Sequence, residues 1–184
     1  MDIFQTIILG LVQGLTEFLP ISSSAHLVLI PKLSGLKDQG LAYDVVLHFG
    51  TLCAIVYYYR CSLLSMSKSF FCSLQTKRLE GDAGFAWAVL LGTLPVGLAG
   101  IFFKNDISIH LRSVEVIAFA TIFFGLLLGF SDWLNRRMEM VRDMIRPSDV
   151  LIIGCFQVLA LIPGTSRSGI TITAALLVGL SRQM

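Results

Sequence analysis

Pro163-Gly164-Thr165-Ser166-Arg167-Ser168-Gly169-Ile170-Thr171 separates two apolar runs, Val150 to Ile162 and Ile170 to Leu180. Pro163 and Gly164 stop one helix, and Thr165, Ser166 or Ser168 is placed to cap the next. An arginine among hydroxyls is costly at membrane depth, about 2.5–3.5 kcal/mol on insertion scales. A helix start rich in hydroxyls offers free backbone N–H groups and the positive end of a helix dipole, which suits a phosphate. Arg167 adds a forked, permanently charged donor set that matches phosphate oxygens. Taken alone, the stretch also reads as a broken helix whose arginine snorkels to the surface.

A second stretch tips the reading toward a site. Gly10-Leu11-Val12-Gln13-Gly14-Leu15 leads through Thr16-Glu17-Phe18-Leu19 to Pro20 and then to Ser22-Ser23-Ser24-Ala25-His26. Gly154-Cys155-Phe156-Gln157-Val158-Leu159 leads in the same way to Pro163 and the Ser/Thr cluster. The offset is 144 residues at the glycine and glutamine and 143 at the proline. This is an internal repeat of a helix, break, helix unit, and paired broken helices that meet near the midplane mark binding sites in membrane proteins built from repeats.

Composition sets the class. The chain is 55% apolar and 14% charged, with mean hydropathy +0.78, values of a polytopic membrane protein rather than a soluble domain. The expected fold is all-α: a polytopic integral membrane protein with inverted repeats and two re-entrant broken-helix units. The whole chain forms one membrane domain, with a first repeat over about 1–134 and the start of a second over about 149–184. Cys53, Cys61, Cys72 and Cys155 show no Cys-x-x-Cys spacing and read as small apolar fillers. No cleavable signal is expected, since no basic segment or small-residue cleavage site precedes Glu17.

Along the chain, residues 3–19 are too interrupted by Gln13, Thr16 and Glu17 to span comfortably, and Pro20 ends them. Gln13 and Glu17, four apart, share a helix face. Residues 24–33 form a short second helix, followed by a polar loop from Lys32 to Tyr43. Val45 to Leu64 reads as a spanning helix with a belt at Tyr57, Tyr58 and Tyr59. A polar loop is expected over 65–84, a span from Phe85 to Phe103 with Pro95 as a kink, and a tight connection from Lys104 to Arg112. Val114 to Leu134 spans again, a basic loop covers 135–149, and the second broken unit follows.

Arg60, Lys68, Lys77 and Arg78 in one loop and Arg136, Arg137, Arg142 and Arg146 in another are separated by two spans. The two loops therefore share a side, the cytoplasm by their positive charge. Lys32, Lys37, Lys104 and Arg112 then lie outside, and the two broken units enter from opposite faces, as inverted repeats require.

If the breaks meet, Gln13, Glu17, Ser22, Ser23, Ser24 and His26 face Thr165, Ser166, Arg167, Ser168 and Thr171 across one cavity. Arg167 and two helix starts would hold a diphosphate. His26 is the candidate nucleophile or general base. Glu17 is placed to orient His26 or to hold a divalent cation against the phosphates. Positioning and charge neutralisation are what phosphoryl transfer needs most. The plainer readings are a proton relay or structural hydrogen bond for Glu17, a helix cap for His26, and helix–helix contacts for the serines. His48, mid-span and away from either break, reads as a packing histidine with a backbone or hydroxyl partner. Asp44 reads as a helix start, and Glu115 and Asp132 as solvent-facing groups near span ends.

At these residues the sequence resembles the bacterial undecaprenyl-diphosphate phosphatase family (BacA/UppP type). The family's Glu/Gln-x-x-x-Glu motif followed by Phe-Leu-Pro-x-Ser-Ser and a histidine is matched from Gln13 to His26. Its Pro-Gly-x-Ser-Arg-Ser-x-x-Thr motif is matched from Pro163 to Thr171, and the stretches Asp44 to Leu52 and Leu91 to Pro95 are also family-like. The resemblance implies removal of one phosphate from undecaprenyl diphosphate, giving the monophosphate lipid carrier reused in cell-wall synthesis. It also implies bacitracin resistance, a need for a divalent cation, Mg²⁺ or Ca²⁺, and a multi-pass protein of the bacterial inner (cytoplasmic) membrane with its site facing outward. Carried over, His26, Glu17, Arg167 and Ser23 are catalytic, with Glu17 also the metal ligand. Gln13, Ser22, Ser24, Thr165, Ser166, Ser168 and Thr171 bind substrate. The implied partners are the polyprenyl diphosphate lipid and the bilayer, with a second copy of the chain as a further candidate and no nucleic acid. Position 13 holds Gln, one of the two residues the family pattern allows there, which removes one possible metal carboxylate. Family members run on for about another half-repeat, so the expectation is a chain truncated at its C-terminus. The competing function is a polyprenyl-phosphate transporter or flippase, since inverted repeats with re-entrant breaks are typical of transporters.

Overall fold

The computed structural model describes residues 3–36, 39–111, 113–138 and 141–182. Lys37, Arg112 and the side chain of Lys104, assigned above to the outer face, lie outside the described residues. The described chain is all helical apart from turns and one isolated bridge. In order the helices are α1 (Ile3–Thr16), α2 (Ser23–Leu33), α3 (Leu41–Tyr58), α4 (Arg60–Thr76), α5 (Ala83–His110), α6 (Val114–Arg136), α7 (Pro147–Gln157) and α8 (Arg167–Leu177). A 3-10 turn, Val158–Leu161, continues α7 toward the second break. Among the described residues two stretches are long and apolar enough to cross a membrane, Ala83–Phe103 in α5 and Val114–Arg136 in α6.

Three expectations are corrected. The span placed over Val45 to Leu64 breaks at Tyr59, whose φ of −91° and ψ of 14° end α3 and admit α4 at once. The polar loop placed over 65–84 is instead mostly α4, held by its neighbour: Trp87 Nε1 donates to Ser73 Oγ at 3.1 Å, and the Phe70 and Trp87 rings lie 4.9 Å apart. The tight connection from Lys104 onward is helix as far as His110, because nothing in Lys104 to His110 breaks a helix.

α6 is the spine on which both broken units rest. Ala25 and Val28 of α2 form a buried cluster with Ile117 of α6. α8 packs on the same helix, and Asn135 at the far end of α6 donates to the carbonyls of Leu176 and Leu180, closing the end of α8. Thr121 of α6 donates to Gly164 O at 3.1 Å. α5 packs along α7 at a glycine pair: a Cβ on Gly154 would lie 2.7 Å from Gly92 O, so the two backbones touch as they do only between small residues.

Candidate active site

The two breaks are built alike. Ser22 caps α2, its Oγ accepting from Ala25 N at 3.3 Å. Ser166 caps α8, accepting from Gly169 N at 3.1 Å. In each, the capping hydroxyl bonds the serine two residues on: Ser22 to Ser24 and Ser166 to Ser168, both at 3.0 Å. The residue between the paired serines opens each helix, and it is Ser23 in the first unit and Arg167 in the second. One repeat thus supplies a hydroxyl at the first helical position and the other a guanidinium.

The breaks also touch. Ser168 Oγ donates to Leu19 O at 3.1 Å, across 149 residues of chain, and a Cβ on Gly169 would lie 3.4 Å from Pro20 O. Between them lies a cavity of 590 Å³. Its polar wall carries Glu17, Ser22, Ser23, Ser24, Asp44 and His48 from the N-terminal side and Thr165, Ser166, Arg167 and Ser168 from the other. Val28, Val45, Gly100, Ile107, Ala160 and Leu161 make the rest largely apolar. Thr165 Oγ1 is buried on this wall with no protein partner among the described residues. A buried hydroxyl without a partner costs free energy, which a ligand oxygen would recover.

Glu17 is the polar centre. Ser23 Oγ donates to its Oε2 at 2.6 Å, and Gln13 Nε2 donates to the same oxygen at 2.8 Å. Gln13 is almost wholly buried and reaches Thr51 Oγ1 at 3.5 Å; it stands behind Glu17 rather than on the cavity wall. His48 Nδ1 faces Asp44 O at 2.8 Å. A carbonyl only accepts, so Nδ1 carries a hydrogen and Nε2 is the nitrogen presented to Glu17 Oε2, at 3.5 Å. His48 is therefore part of the site, and its placement away from both breaks is corrected. The signal was in the sequence: Asp44, His48 and Thr51 recur at helical spacing on one face of an apolar helix, a polar stripe that packing does not need.

Two more sequence candidates, besides Gln13, lie off the cavity wall. His26 directs Nδ1 to the carbonyl of Ser22 in the preceding turn, at 2.7 Å. Thr171 bonds back to the carbonyls of Arg167 and Ser168, both at 3.0 Å. Nor do the residues present build a resident cation site. Among the described residues no three His, Cys, Asp or Glu side chains converge, and Glu17 Oε2 is turned toward hydrogen-bond donors.

The family described as "Bacitracin resistance protein BacA" matches residues 6–184. The Undecaprenyl-diphosphatase of Vesicomyosocius okutanii subsp. Calyptogena okutanii (strain HA) is 53% identical over 184 residues, which are 100% of this chain and 70% of that protein. That of Ruthia magnifica subsp. Calyptogena magnifica is 55% identical over 184 residues, 100% of this chain and 69% of that protein. That of Thioalkalivibrio sulfidiphilus (strain HL-EbGR7) is 58% identical over 183 residues, 100% of this chain and 68% of that protein. Two hydroxyl-rich helix starts meeting over a carboxylate, long apolar helices, and a match along nearly the whole chain lead to one conclusion: this is a membrane protein of the BacA bacitracin-resistance family.

Proposed function

We infer that this chain is an undecaprenyl-diphosphatase, hydrolysing undecaprenyl diphosphate to undecaprenyl phosphate and inorganic phosphate. The observation that carries the chemistry is the Ser23 hydroxyl set on Glu17 Oε2 at 2.6 Å, at the first turn of α2 and facing Arg167 across the cavity. A nucleophile in hydrogen-bond reach of a base, beside anion-binding helix starts, is the arrangement that phosphoryl transfer uses.

In this reading the diphosphate lies between the starts of α2 and α8, with Arg167 and the hydroxyls of Thr165, Ser166 and Ser168 on its oxygens and the first isoprene units on the apolar wall. Ser23 Oγ attacks the terminal phosphorus while its proton passes to Glu17. The bond from that phosphorus to the bridging oxygen breaks, and undecaprenyl phosphate leaves with the electron pair and the proton held by Glu17. Water then attacks the phosphoserine, giving one proton to Glu17. Phosphate departs, and Glu17 returns the proton to Ser23 Oγ. Gln13 and His48 hold the carboxylate in place. His26, bonded to the carbonyl of Ser22, supports the turn that presents Ser23. A diphosphate carries its own cation-binding oxygens, and no step here runs through a metal.

The membrane arrangement belongs to the same proposal: two inverted helix-break-helix units, re-entrant from opposite faces of the inner membrane, with the cavity opening outward. The equal capping of Ser22 and Ser166 supports the repeat, and the two basic stretches, α4 with the residues just after it and the segment between α6 and α7, support the orientation. A transporter of polyprenyl phosphate would use Arg167 and the helix starts, but has no use for a serine hydroxyl set on a carboxylate.

The test is phosphate release from C55 or C15 prenyl diphosphate by the purified chain, beside Ser23→Ala and Arg167→Ala. Release by the parent and its loss in both variants is the expected result. Equal release by Ser23→Ala and parent would overturn the nucleophile, and no release by any form, with prenyl phosphate carried across vesicles, would put the transporter first.

A further inference from the structure

α4 is not used by the chemistry above, and its faces are unlike one another. Its contacts with α5 fall at the start of that helix: Ser65 Oγ donates to Asp82 at 2.9 Å, Ser69 Oγ lies 3.3 Å from where a Cβ on Gly81 would be, and Phe70 and Ser73 take Trp87. At 100° per residue these contacts occupy one side of α4. A second side, carrying Lys68, Cys72 and Thr76, borders a shallow open hollow together with Arg78. The third side is apolar and uncovered: Leu64 is 60%, Phe71 63% and Leu74 51% exposed.

The basic groups bracket that apolar side: Arg60 opens α4, Lys68 lies at the margin of the apolar side, and Lys77 and Arg78 follow the last helical residue. Arg60 lies over the Tyr57 ring, 4.6 Å from its centroid, and donates to Tyr57 O. Lys68, Lys77 and Arg78 follow on exposed positions. Four basic residues stand against two acidic ones, Glu80 and Asp82, between Tyr57 and Asp82. Tyr57, Tyr58 and Tyr59, all more than half exposed, mark the level at which α3 gives way to α4. Tyrosines of this kind sit at the headgroup level of a bilayer. A helix that enters there directly, with an apolar side, a polar side and basic residues at both ends and at the margin of the apolar side, has the character of a helix lying in the membrane surface.

We propose that α4 is an in-plane interfacial helix that binds anionic phospholipid headgroups, with Leu64, Phe71 and Leu74 in the upper acyl region and Arg60, Lys68, Lys77 and Arg78 among the phosphates. Charge complementarity selects anionic lipid: each basic residue close to such a surface contributes attraction that falls off within a Debye length. The proposal rests on the membrane placement above and not on the phosphatase chemistry.

The test uses the full chain with its four cysteines replaced by serine, one new cysteine at a time carrying a fluorophore, in vesicles of phosphatidylcholine with or without phosphatidylglycerol. Leu64→Cys and Phe71→Cys probes are expected to be quenched by spin-labelled acyl chains, and a probe at Cys72 by aqueous iodide only. Electron spin resonance of headgroup-matched lipids is expected to show several-fold enrichment of phosphatidylglycerol at the protein boundary. That enrichment should be lost when Arg60, Lys68, Lys77 and Arg78 are changed together to glutamine. Probes at 64 and 71 reached by iodide, or shielded from both quenchers as a second copy would shield them, overturn the proposal. So does enrichment unchanged by the four glutamines. A Phe123→Cys probe on α6 separates the failures: if it too escapes the acyl quencher, the membrane placement itself has failed.

Discussion

At the scale of the residue, the site depends on a few short bonds around one carboxylate. Glu17→Gln keeps the shape but removes the proton acceptor for Ser23, and kcat should fall by about 10²–10⁴-fold, the usual worth of a general base; phosphate release under saturating substrate checks it. Ser23→Cys should trap or slow a phosphoenzyme that Ser23→Ala cannot form, seen by intact-mass measurement after rapid quench. His48→Phe keeps the ring volume and loses the nitrogen facing Glu17. Losing a ring atom packed 3.5 Å from the carboxylate loosens its position, and kcat should drop about tenfold, roughly 1.4 kcal/mol of barrier, with His48→Gln, whose amide can donate to Glu17, recovering part of it. Glu17, Ser23 and Arg167 were legible from residue type and repeat position. His48 was not given its place, because its distance from the breaks along the chain says nothing of how α3 leans on the end of α1.

At the scale of the element, backbone approach decides. Gly164 has φ +99°, and a Cβ there would lie 2.5 Å from Ile117 O. Gly164→Ala therefore meets both a left-handed backbone and the carbonyl of α6, and should destabilise by about 1–3 kcal/mol or more, read as a lower unfolding temperature in detergent together with loss of turnover. The loop before α7 is held differently. Arg142 donates to both oxygens of Asp149, at 3.0 and 3.3 Å, and to Val178 O at 2.7 Å. Asp149 Oδ2 also accepts from Arg146 N. The Arg142 hydrogen bond holds the Asp149 carboxyl below its ordinary range, against the opposing effect of burial. A carboxylate with a depressed folded pKa contributes stability that is full above its unfolded pKa, about 3.9, and is lost as pH falls through the lower folded value. Arg142→Met should cost on the order of 3 kcal/mol at neutral pH by leaving Asp149 buried and unpaired. The parent's advantage should shrink in unfolding scans taken below about pH 4.

At the scale of the molecule, the proposed orientation rests on two basic stretches, one of them α4, and is open to a direct measurement. Cys61 and Cys72 are exposed on α4. A membrane-impermeant maleimide should label them in inverted vesicles and not in intact spheroplasts. The opposite pattern would turn the whole arrangement over and place the cavity mouth toward the cytoplasm. The two long spans could be read from hydropathy alone, since about 20 apolar residues leave few other fates. α4 could not, because an interfacial helix with serines, a lysine and two cysteines has the composition of a loop until the apolar positions are set at 3.6-residue spacing.

The sequence by itself determined the class, the helix-break-helix repeat and the pairing of a serine start with an arginine start. These follow from local rules: proline and glycine end helices, serines cap them, and apolar runs have a fixed reach. Only the tertiary structure decided which of the polar residues share a cavity. Ser23 reaches Glu17 and His48 joins them, while His26 turns back to its own helix. Those outcomes depend on the rotation of each helix about its axis, set by the packing of α2 and α8 on α6 and of α5 on α7, and no run of residues read along one chain contains that angle.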